Sequence, residues 1–340
     1  MDDGERKSTS RTTFTLGPLT AAPGTRISGF FDVPAGPDGE EETRIPVTLV
    51  QGARSGPVLA LIAGTHGSEY PPILALQRVR QGIDPAALAG TLVLVHIANL
   101  PSFQQRTVYY GPTDGMNLNR VYPGRPDGTM SERIAHVMTT VVIAAADFVA
   151  DLHCGDANEA LRPYSYWFRS GNTAVDEASK EMAVAFGVDW IVIDDSRPRD
   201  PAASMYTANT AITRGKPAIT TETGELGSSD ERWVAQAERG AWNLLRHLGM
   251  LEGAPAPGPD VVWLAPTEVL RSPATGMFRA VVRAGEAVAK DAVLGVLTDW
   301  FGDVLGEVRA PFAGLVTYIV ATPPVRAGEP LAMIGSPHAD

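Results

Sequence analysis

Residues 64–69, Gly-Thr-His-Gly-Ser-Glu, follow the apolar run at 58–63 and place His66 and Glu69 three positions apart. The run is short and has glycine close to both ends, which predicts a buried strand, and a helix is expected at about 71–80. A neutral imidazole and a carboxylate are two of the three protein ligands that a catalytic zinc ion uses, with the fourth position left to water. Taken alone, the pattern also fits a surface loop whose glutamate is favoured by the dipole of the following helix.

The other strand ends of the chain favour the metal site. Residues 147–153 form a predicted strand that ends in a histidine, and ligands of open α/β sheets bind at the carboxyl ends of strands. His66, Glu69 and His153 then supply a His₂Glu set, a known catalytic combination for zinc, and we predict one zinc ion per chain. Asp151 lies on the same face of its strand as His153 and is expected to orient that ligand, although a structural role fits equally well.

A zinc hydrolase also needs a general base that takes a proton from water and delivers it to the leaving amine. Glu222 ends the apolar run at 217–222 and is the best candidate. Glu225 is close enough in sequence to compete, but the predicted strand leads directly into Glu222.

Residues 98–128 show no helical or strand periodicity, and loops of this length in compact domains are usually functional or disordered. Their aromatic and arginine content argues against disorder. The loop contains an Asn-Leu-Asn-Arg motif at 117–120 and, before it, Arg106. An arginine beside a metal stabilises an oxyanion, and arginine also holds carboxylates through two hydrogen bonds. Arg106 and the pair Asn119 and Arg120 are therefore candidates for both tasks.

Four motifs occur in this order: His66-Gly67-Ser68-Glu69, Asn117-Leu118-Asn119-Arg120, Asp151-Leu152-His153 and Glu222-Thr223-Gly224. In this order and spacing they resemble the succinylglutamate desuccinylase/aspartoacylase family, which is related to the zinc carboxypeptidases. The resemblance covers about residues 45–250, and four ordered motifs are far more specific than a single His-x-x-Glu pair.

The resemblance implies an amide hydrolase that removes the acyl group from an N-acylated amino acid or a similar small amide bearing a carboxylate. It implies zinc on the three ligands above, with Glu222 as general base and acid. Asn119 and Arg120 would hold the substrate carboxylate, and Arg106, the nearest arginine before the motif, is assigned to polarise the scissile carbonyl. Asn117 stands where many relatives carry aspartate, and this departure is expected to affect substrate choice.

Strands alternate with helices over residues 13–251, which predicts an α/β fold with a mainly parallel, mixed sheet flanked by helices. The resemblance implies that this catalytic domain is zinc carboxypeptidase-like. Residues 252–259 are rich in proline and glycine and are expected to be a linker. Residues 260–336 carry short apolar runs between turn residues, which predicts a small all-β, barrel-sandwich-like domain with a structural or oligomerising role. Residues 1–12 are polar and expected to be flexible.

The net charge of −11 argues against a nucleic-acid partner, because phosphate binding needs a basic face. The single cysteine, Cys154, allows no intrachain disulfide and fits a reducing compartment. No apolar run reaches the roughly 18 residues of a membrane span, and no apolar signal segment opens the chain. We therefore expect a cytoplasmic protein that acts on a small N-acylated molecule without a membrane or nucleic-acid partner. A homo-oligomer is compatible with the exposed edges of a β domain.

Two alternatives to the deacylase stay open from the sequence. A metallocarboxypeptidase acting on a peptide-like substrate would use the same zinc chemistry, and a small closed pocket would count against it. A non-catalytic metal-binding or carrier protein built around the β domain would retain zinc without hydrolysis. The acyl group and the released amine are not specified by the motifs, and the aromatic stretch Tyr164, Tyr166, Trp167 and Phe168 is a candidate wall of the acyl pocket.

Overall fold

The computed structural model describes residues 12–37, 39 and 41–338, so the predicted flexible segment at 1–12 lies almost entirely outside the described residues. The strands are β1 (Phe14–Leu16), β2 (Leu19–Ala21), β3 (Thr25–Val33), β4 (Thr43–Gln51), β5 (Arg54–Ala63), β6 (Ala89–Val95), β7 (Phe148–His153), β8 (Glu159–Leu161), β9 (Tyr164–Phe168), β10 (Trp190–Asp194), β11 (Ala218–Glu222), β12 (Val262–Arg271), β13 (Gly276–Ala280), β14 (Ala287–Val288), β15 (Val293–Thr298), β16 (Val304–Arg309), β17 (Gly314–Val320), β18 (Pro324–Val325) and β19 (Pro330–His338). The helices are α1 (Tyr70–Gly82), α2 (Leu100–Gln105), α3 (Met130–Val137), α4 (Thr173–Phe186), α5 (Thr207–Ile212) and α6 (Glu231–His247). None of these helices is long and apolar enough to cross a lipid bilayer.

One large sheet has the strand order β14-β17-β19-β12-β10-β9-β11-β7-β5-β6-β4-β3, with β8 paired to β17. Its centre is parallel, because β7 pairs in parallel with both β5 and β11. Antiparallel pairs join the centre to β9 and the outer strands β3 and β4. The predicted α/β class with a mixed sheet flanked by helices is confirmed, and the carboxyl ends of β5, β7 and β11 lie side by side.

Strand β5 shows why the sequences of the central strands are continuously apolar. Leu59 and Leu61 belong to the core that includes residues of α1, α4 and α6, whereas Ala60 and Ile62 belong to the core that includes residues of α3 and α5. Successive side chains of a strand point to opposite faces, so a strand covered by helices on both faces must be apolar at every position.

The loop predicted over 98–128 contains two short helical turns that the sequence pattern did not reveal. In α2 the side chain of Asn99 accepts a hydrogen bond from Ser102 N–H and caps the first turn. A 3₁₀ turn at Leu118–Arg120 begins where the side chain of Asn117 accepts from Asn119 N–H at 2.8 Å. Both turns depend on side-chain caps rather than on an apolar period, and they are too short for periodicity to detect.

The remaining boundaries include two irregular helical segments. Helix α3 begins at Met130 and continues as a π-helix at Met138–Ile143. A 3₁₀ turn at Pro201–Ala203 precedes α5. Strand β6 ends at Val95, so His96 lies just beyond it.

The C-terminal residues from Val262 onward are all β, as predicted, and they extend the large sheet. Strand β12 pairs in parallel with β10 and antiparallel with β19, while β16, β15, β13 and β18 form a separate four-stranded sheet. Residues 252–259 carry neither helix nor strand. The proposed division of the chain at this linker stays a prediction, because the main-chain hydrogen bonds of the sheet continue across it.

Replacing Thr129 by alanine is expected to destabilise the fold by about 1 kcal/mol, because Thr129 caps α3 through a capping box with Glu132. The Glu132 carboxylate accepts from Thr129 N–H at 2.9 Å, and the Thr129 hydroxyl accepts from Glu132 N–H. Chemical denaturation should show a lower midpoint for Thr129→Ala and a near-normal midpoint for Thr129→Ser, which keeps the hydroxyl. Equal midpoints for the alanine variant and the wild type would contradict the assignment.

Candidate active site

The three predicted metal ligands meet at the carboxyl ends of β5 and β7. His66 and Glu69 lie in the turn between β5 and α1, and His153 is the last residue of β7. All three are buried, and their ligand atoms lie within 4.8 Å of one another. Glu69 Oε1 is 2.8 Å from His66 Nδ1, and Glu69 Oε2 is 2.9 Å from His153 Nδ1. This cluster could hold one metal ion.

The hydrogen bonds behind the two imidazoles fit a metal between them. Asp151 Oδ2 lies 2.9 Å from His153 Nε2, as expected for a ligand-orienting carboxylate, and Asn117 Oδ1 lies 3.2 Å from His66 Nε2. With the proton on Nε2 in each ring, both Nδ1 lone pairs point toward Glu69. Glu69 Oε2 is buried, and apart from His153 Nδ1 at 2.9 Å no hydrogen-bonding atom of the described residues reaches it. A carboxylate and two imidazoles that share unused lone pairs form a donor set suited to a divalent metal such as zinc.

The electrostatics of the cluster favour ionised Glu69 and charged imidazoles in the absence of a metal. Burial lowers the pKa of His153, but the carboxylates of Asp151 and Glu69 outweigh burial and raise this pKa well above its ordinary value. Burial likewise lowers the pKa of His66, and Glu69 and Asp156 raise it further than burial lowers it. Burial raises the pKa of Glu69, yet the two imidazoles bring it down to about 2. Protons therefore compete with a metal for the imidazole nitrogens, and metal affinity is expected to fall in acid.

The two residues between His66 and Glu69 explain the rest of that motif. A Cβ on Gly67 would come within 2.1 Å of the Ser102 carbonyl oxygen, so only glycine allows α2 to approach the turn. The Ser68 hydroxyl donates to Asp156 Oδ1 at 2.8 Å and accepts from Ala157 N–H at 3.2 Å. Ser68 thus ties the turn after β5 to the turn after β7.

Glu222 lies beside the cluster at the end of β11, where it is paired in register with His153. It lines the same cavity as His66 and Glu69. Burial raises the pKa of Glu222 well above its ordinary value. His153 opposes this shift, and the nearby Glu69 carboxylate adds to it. A carboxyl group with a raised pKa can both accept and return a proton near neutral pH. Glu225 instead accepts a hydrogen bond from Leu161 N–H and lies outside the cavity.

The residues of the Asn-Leu-Asn-Arg motif differ in position: Asn119 is buried behind the cavity wall, whereas Asn117 and Arg120 line the cavity. Asn119 is buried: its side-chain nitrogen donates to Asp151 Oδ2 at 3.2 Å, and its oxygen accepts from Thr207 N–H at 2.8 Å. It therefore clamps the loop to β7 and α5 and does not line the cavity, although the resemblance implied substrate contact. Asn117 and Arg120 do line the cavity.

The structure does not bring Arg106 to this site. Arg106 is exposed, caps the C-terminus of α2 with a left-handed φ of 56°, and is not part of the cavity wall. The loop reaches the cavity three residues later, through Tyr109 and Tyr110. Sequence reasoning missed two other cavity arginines, Arg197 and Arg271, because neither belongs to a motif nor ends an apolar run of the catalytic region.

The cavity has a volume of about 300 Å³ and is lined by charged groups of both signs. The acidic residues are Glu69, Asp156, Glu159 and Glu222, and the arginines are Arg120, Arg197 and Arg271. Of the aromatic stretch that we expected to shape the acyl pocket, Tyr164 and Tyr166 line the cavity. Trp167 and Phe168 belong to the two cores, Trp167 packing edge-on against Trp263. Alternation along β9 accounts for Trp167, which points away from its neighbour Tyr166.

Two of the arginines are held by one aromatic ring. The guanidinium carbon of Arg197 lies 3.8 Å from the ring centroid of Tyr206, and that of Arg120 lies 4.6 Å from the same centroid. Arg197 Nε donates to Asp194 Oδ2 at 2.6 Å, which leaves its terminal nitrogens for other partners. Burial lowers the pKa of Arg197, but Asp194 and neighbouring tyrosines raise it overall, so this cation persists. The pair forms a fixed positive wall suited to a carboxylate.

Known proteins resemble this chain over nearly its whole length. The catalytic-domain model of the succinylglutamate desuccinylase/aspartoacylase family matches residues 55–248. The N-alpha-acetyl-L-2,4-diaminobutyric acid deacetylase of Halomonas elongata is 30% identical over 317 residues, which cover 90% of this chain and 90% of that protein.

Solved structures agree with this match. The product-bound ectoine utilization protein EutE (DoeB) from Ruegeria pomeroyi is 30% identical, with a TM-score of 0.80 over 92% of this chain and 95% of that one. A succinylglutamate desuccinylase/aspartoacylase from Rhodobacter sphaeroides is 26% identical, with a TM-score of 0.80 over 93% and 96% of the two chains.

Replacing His153 by alanine is expected to remove a metal ligand from the cluster and with it most of the bound zinc. Elemental analysis should find about one zinc ion per chain in the wild type and much less in His153→Ala. His247→Ala is the matched control, because His247 lies at the end of α6, away from the cluster. Equal zinc in all three proteins would show that the metal binds elsewhere.

Proposed function

The chain belongs to the succinylglutamate desuccinylase/aspartoacylase family, and on that premise we propose that it is a zinc-dependent hydrolase that deacylates an N-acyl amino acid or a similar small amide bearing a carboxylate. The observation that carries the proposal is the meeting of His66, Glu69 and His153 with the carboxyl group of Glu222 at one end of the sheet. A purely structural metal site does not require an acid with a raised pKa, such as Glu222, beside its ligands, and neither does a glutamate that only caps a helix.

Zinc bound by the three ligands would supply a water molecule of lowered pKa and polarise the scissile carbonyl. Asp151 would hold the imidazole of His153 in the tautomer that leaves Nδ1 free for ligation. Glu222 would accept a proton from the attacking water and then deliver it to the leaving nitrogen, which makes the amine a better leaving group. The raised pKa of Glu222 supports both halves of this role.

Arg120 is proposed to hold the substrate carboxylate, with Asn117 beside it in the cavity wall. Asn119 would serve this subsite indirectly, by fixing the loop through Asp151 and Thr207. Because Arg106 is exposed outside the cavity, we propose that positive charge near the carbonyl oxygen comes from the cavity arginines rather than from Arg106.

The size of the cavity supports a small substrate over a peptide. Residues of the C-terminal strands form part of its wall: Val269, Arg271, Tyr318 and Pro330. A cavity of about 300 Å³ suits a small molecule better than a polypeptide tail, which counts against the carboxypeptidase alternative. Since the relative from Halomonas elongata is an N-acetyl-diaminobutyrate deacetylase, N-α-acetyl-L-2,4-diaminobutyrate is the first substrate that we would test. The single cysteine supports a cytoplasmic reaction.

Glu222→Gln is expected to keep its zinc and lose hydrolysis by a factor of about 100 or more, because glutamine has the shape of glutamate but cannot carry the proton. Release of acetate from zinc-loaded protein, measured beside metal content, checks this expectation. Glu225→Gln is the matched control, since Glu225 is three residues away and outside the cavity. Full activity in Glu222→Gln would remove Glu222 from the mechanism. A wild-type protein that retains zinc and cleaves no N-acyl amino acid would favour the metal-binding alternative.

A further inference from the structure

Glu159 is a cavity carboxylate that has no role in the proposed hydrolysis. Of the other acids in the cavity, Glu69 belongs to the metal cluster, Glu222 is the proposed base, and Asp156 Oδ2 lies 3.4 Å from His66 Nδ1. Glu159 accepts a hydrogen bond from the Tyr109 hydroxyl at 2.8 Å. Its other oxygen receives only a long bond of 3.4 Å from Asp156 N–H. Within the residues that the structure describes, no arginine, lysine or histidine forms a salt bridge with Glu159.

The position of Glu159 is fixed by its main chain. It opens β8 and pairs in register with Val320 of β17, so the C-terminal region holds it in place. Its carbonyl accepts from Leu226 N–H at 2.9 Å, in the segment that follows Glu222. Tyr109, which anchors the carboxylate, stands edge-on to the His66 ring with centroids 6.4 Å apart. A group bound by Glu159 would therefore lie next to the metal cluster.

A half-buried carboxylate without a counter-ion is unfavourable, because burial removes part of its hydration and neutral hydrogen bonds replace only some of it. Tyr109 supplies one neutral donor, and a ligand cation would supply the missing charge and a stronger hydrogen bond. Elsewhere in the same cavity are Arg120, Arg197 and Arg271, which attract a carboxylate and repel an ammonium group. A molecule with both groups would be drawn into the cavity in one orientation.

We propose that Glu159, anchored by Tyr109, binds a second, free and positively charged amino group of the substrate, so that the substrate class is the N-acyl diamino acids. This inference rests on the proposed function and assigns a specificity residue within it. The free amine of the compound named for the Halomonas elongata relative fits the same chemistry. The arginines receive the carboxylate of that molecule, and the amide lies between the two charged ends, toward Glu222.

Two substrates of nearly equal shape test the inference. N-α-acetyl-L-2,4-diaminobutyrate and N-acetyl-L-norvaline differ by an ammonium group in place of a methyl group at the end of the side chain. The wild type should prefer the amine by about tenfold or more in kcat/KM, since a hydrogen bond to a charged group gives discrimination of this size. Glu159→Gln should lose most of this preference through a higher KM for the amine, while its kcat/KM for the norvaline substrate stays within about twofold. Tyr109→Phe should reduce the preference less.

Calorimetry provides a readout that does not depend on turnover. L-2,4-Diaminobutyrate should bind the zinc-loaded wild type more tightly than L-norvaline does, and Glu159→Gln should bind the two amino acids about equally. Glu177→Gln, on the exposed face of α4, controls for the change in net charge and should behave as the wild type.

The outcomes separate the two proposals. If zinc-loaded wild type hydrolyses neither these substrates nor any other N-acyl amino acid, the proposed deacylase function fails, while selective binding of diaminobutyrate that Glu159→Gln abolishes would still support the amine subsite. If the wild type hydrolyses both substrates equally, or if Glu159→Gln keeps the preference and the selective binding, the amine subsite is overturned and the deacylase function stands.

Discussion

Four carboxyl groups share one cavity at the carboxyl end of the sheet, and the cost of burying their negative charges close together is the constraint on which the rest of the site depends. Burial raises the pKa of Asp156 to about 8, with His66 opposing the shift and the Glu69 carboxylate adding to it. Burial and neighbouring carboxylates also raise the pKa values of Glu159 and Glu222. Only Glu69, between two imidazoles, has a lowered pKa. The site is therefore deficient in positive charge, which a metal ion at the cluster and a cation on the substrate would supply.

The C-terminal strands contribute to the cavity as well as to the fold. Strand β12 pairs in parallel with β10, and later residues of β12 line the cavity. Arg271 and Val269 of β12, Tyr318 of β17 and Pro330 of β19 close the cavity on that side. The same region fixes β8, and with it Glu159. The C-terminal β region therefore forms one wall of the cavity.

The meeting of the three candidate ligands was predictable from sequence because His153 ends an apolar strand and His66 and Glu69 lie in the turn directly after another. Strands buried on both faces are recognisable as short apolar runs, and parallel strands bring their carboxyl ends to one edge, so His66, Glu69 and His153 had to meet if the class was right. The partnership of Asp151 with His153 follows from strand alternation. Glu222 was distinguished from Glu225 by the same rule, since only Glu222 lies within a strand.

The walls of the cavity were less predictable, because they come from segments without periodicity. Arg106 is the arginine nearest to the motif in sequence, but a left-handed residue at the end of α2 turns the chain there, and Tyr109 reaches the cavity instead. Arg197 follows β10 and meets Arg120 only through the ring of Tyr206. Such contacts depend on how loops pack over the sheet, and no local pattern in the chain encodes that packing.

The cavity carries arginines as well as acidic groups, and the two together would select a molecule that bears both a carboxylate and an ammonium group. Two guanidinium groups beside one tyrosine ring repel each other, and Asp194 offsets only one of the two charges. An incoming carboxylate relieves this repulsion, while an incoming ammonium group relieves the repulsion among the acids. Reversing the proposed zwitterionic substrate would place each of its charges beside groups of the same sign, so electrostatics would set its orientation. Under the proposed function, discrimination would depend on electrostatic fit across a cavity of about 300 Å³, and a neutral amide of the same shape would gain only the contribution of packing.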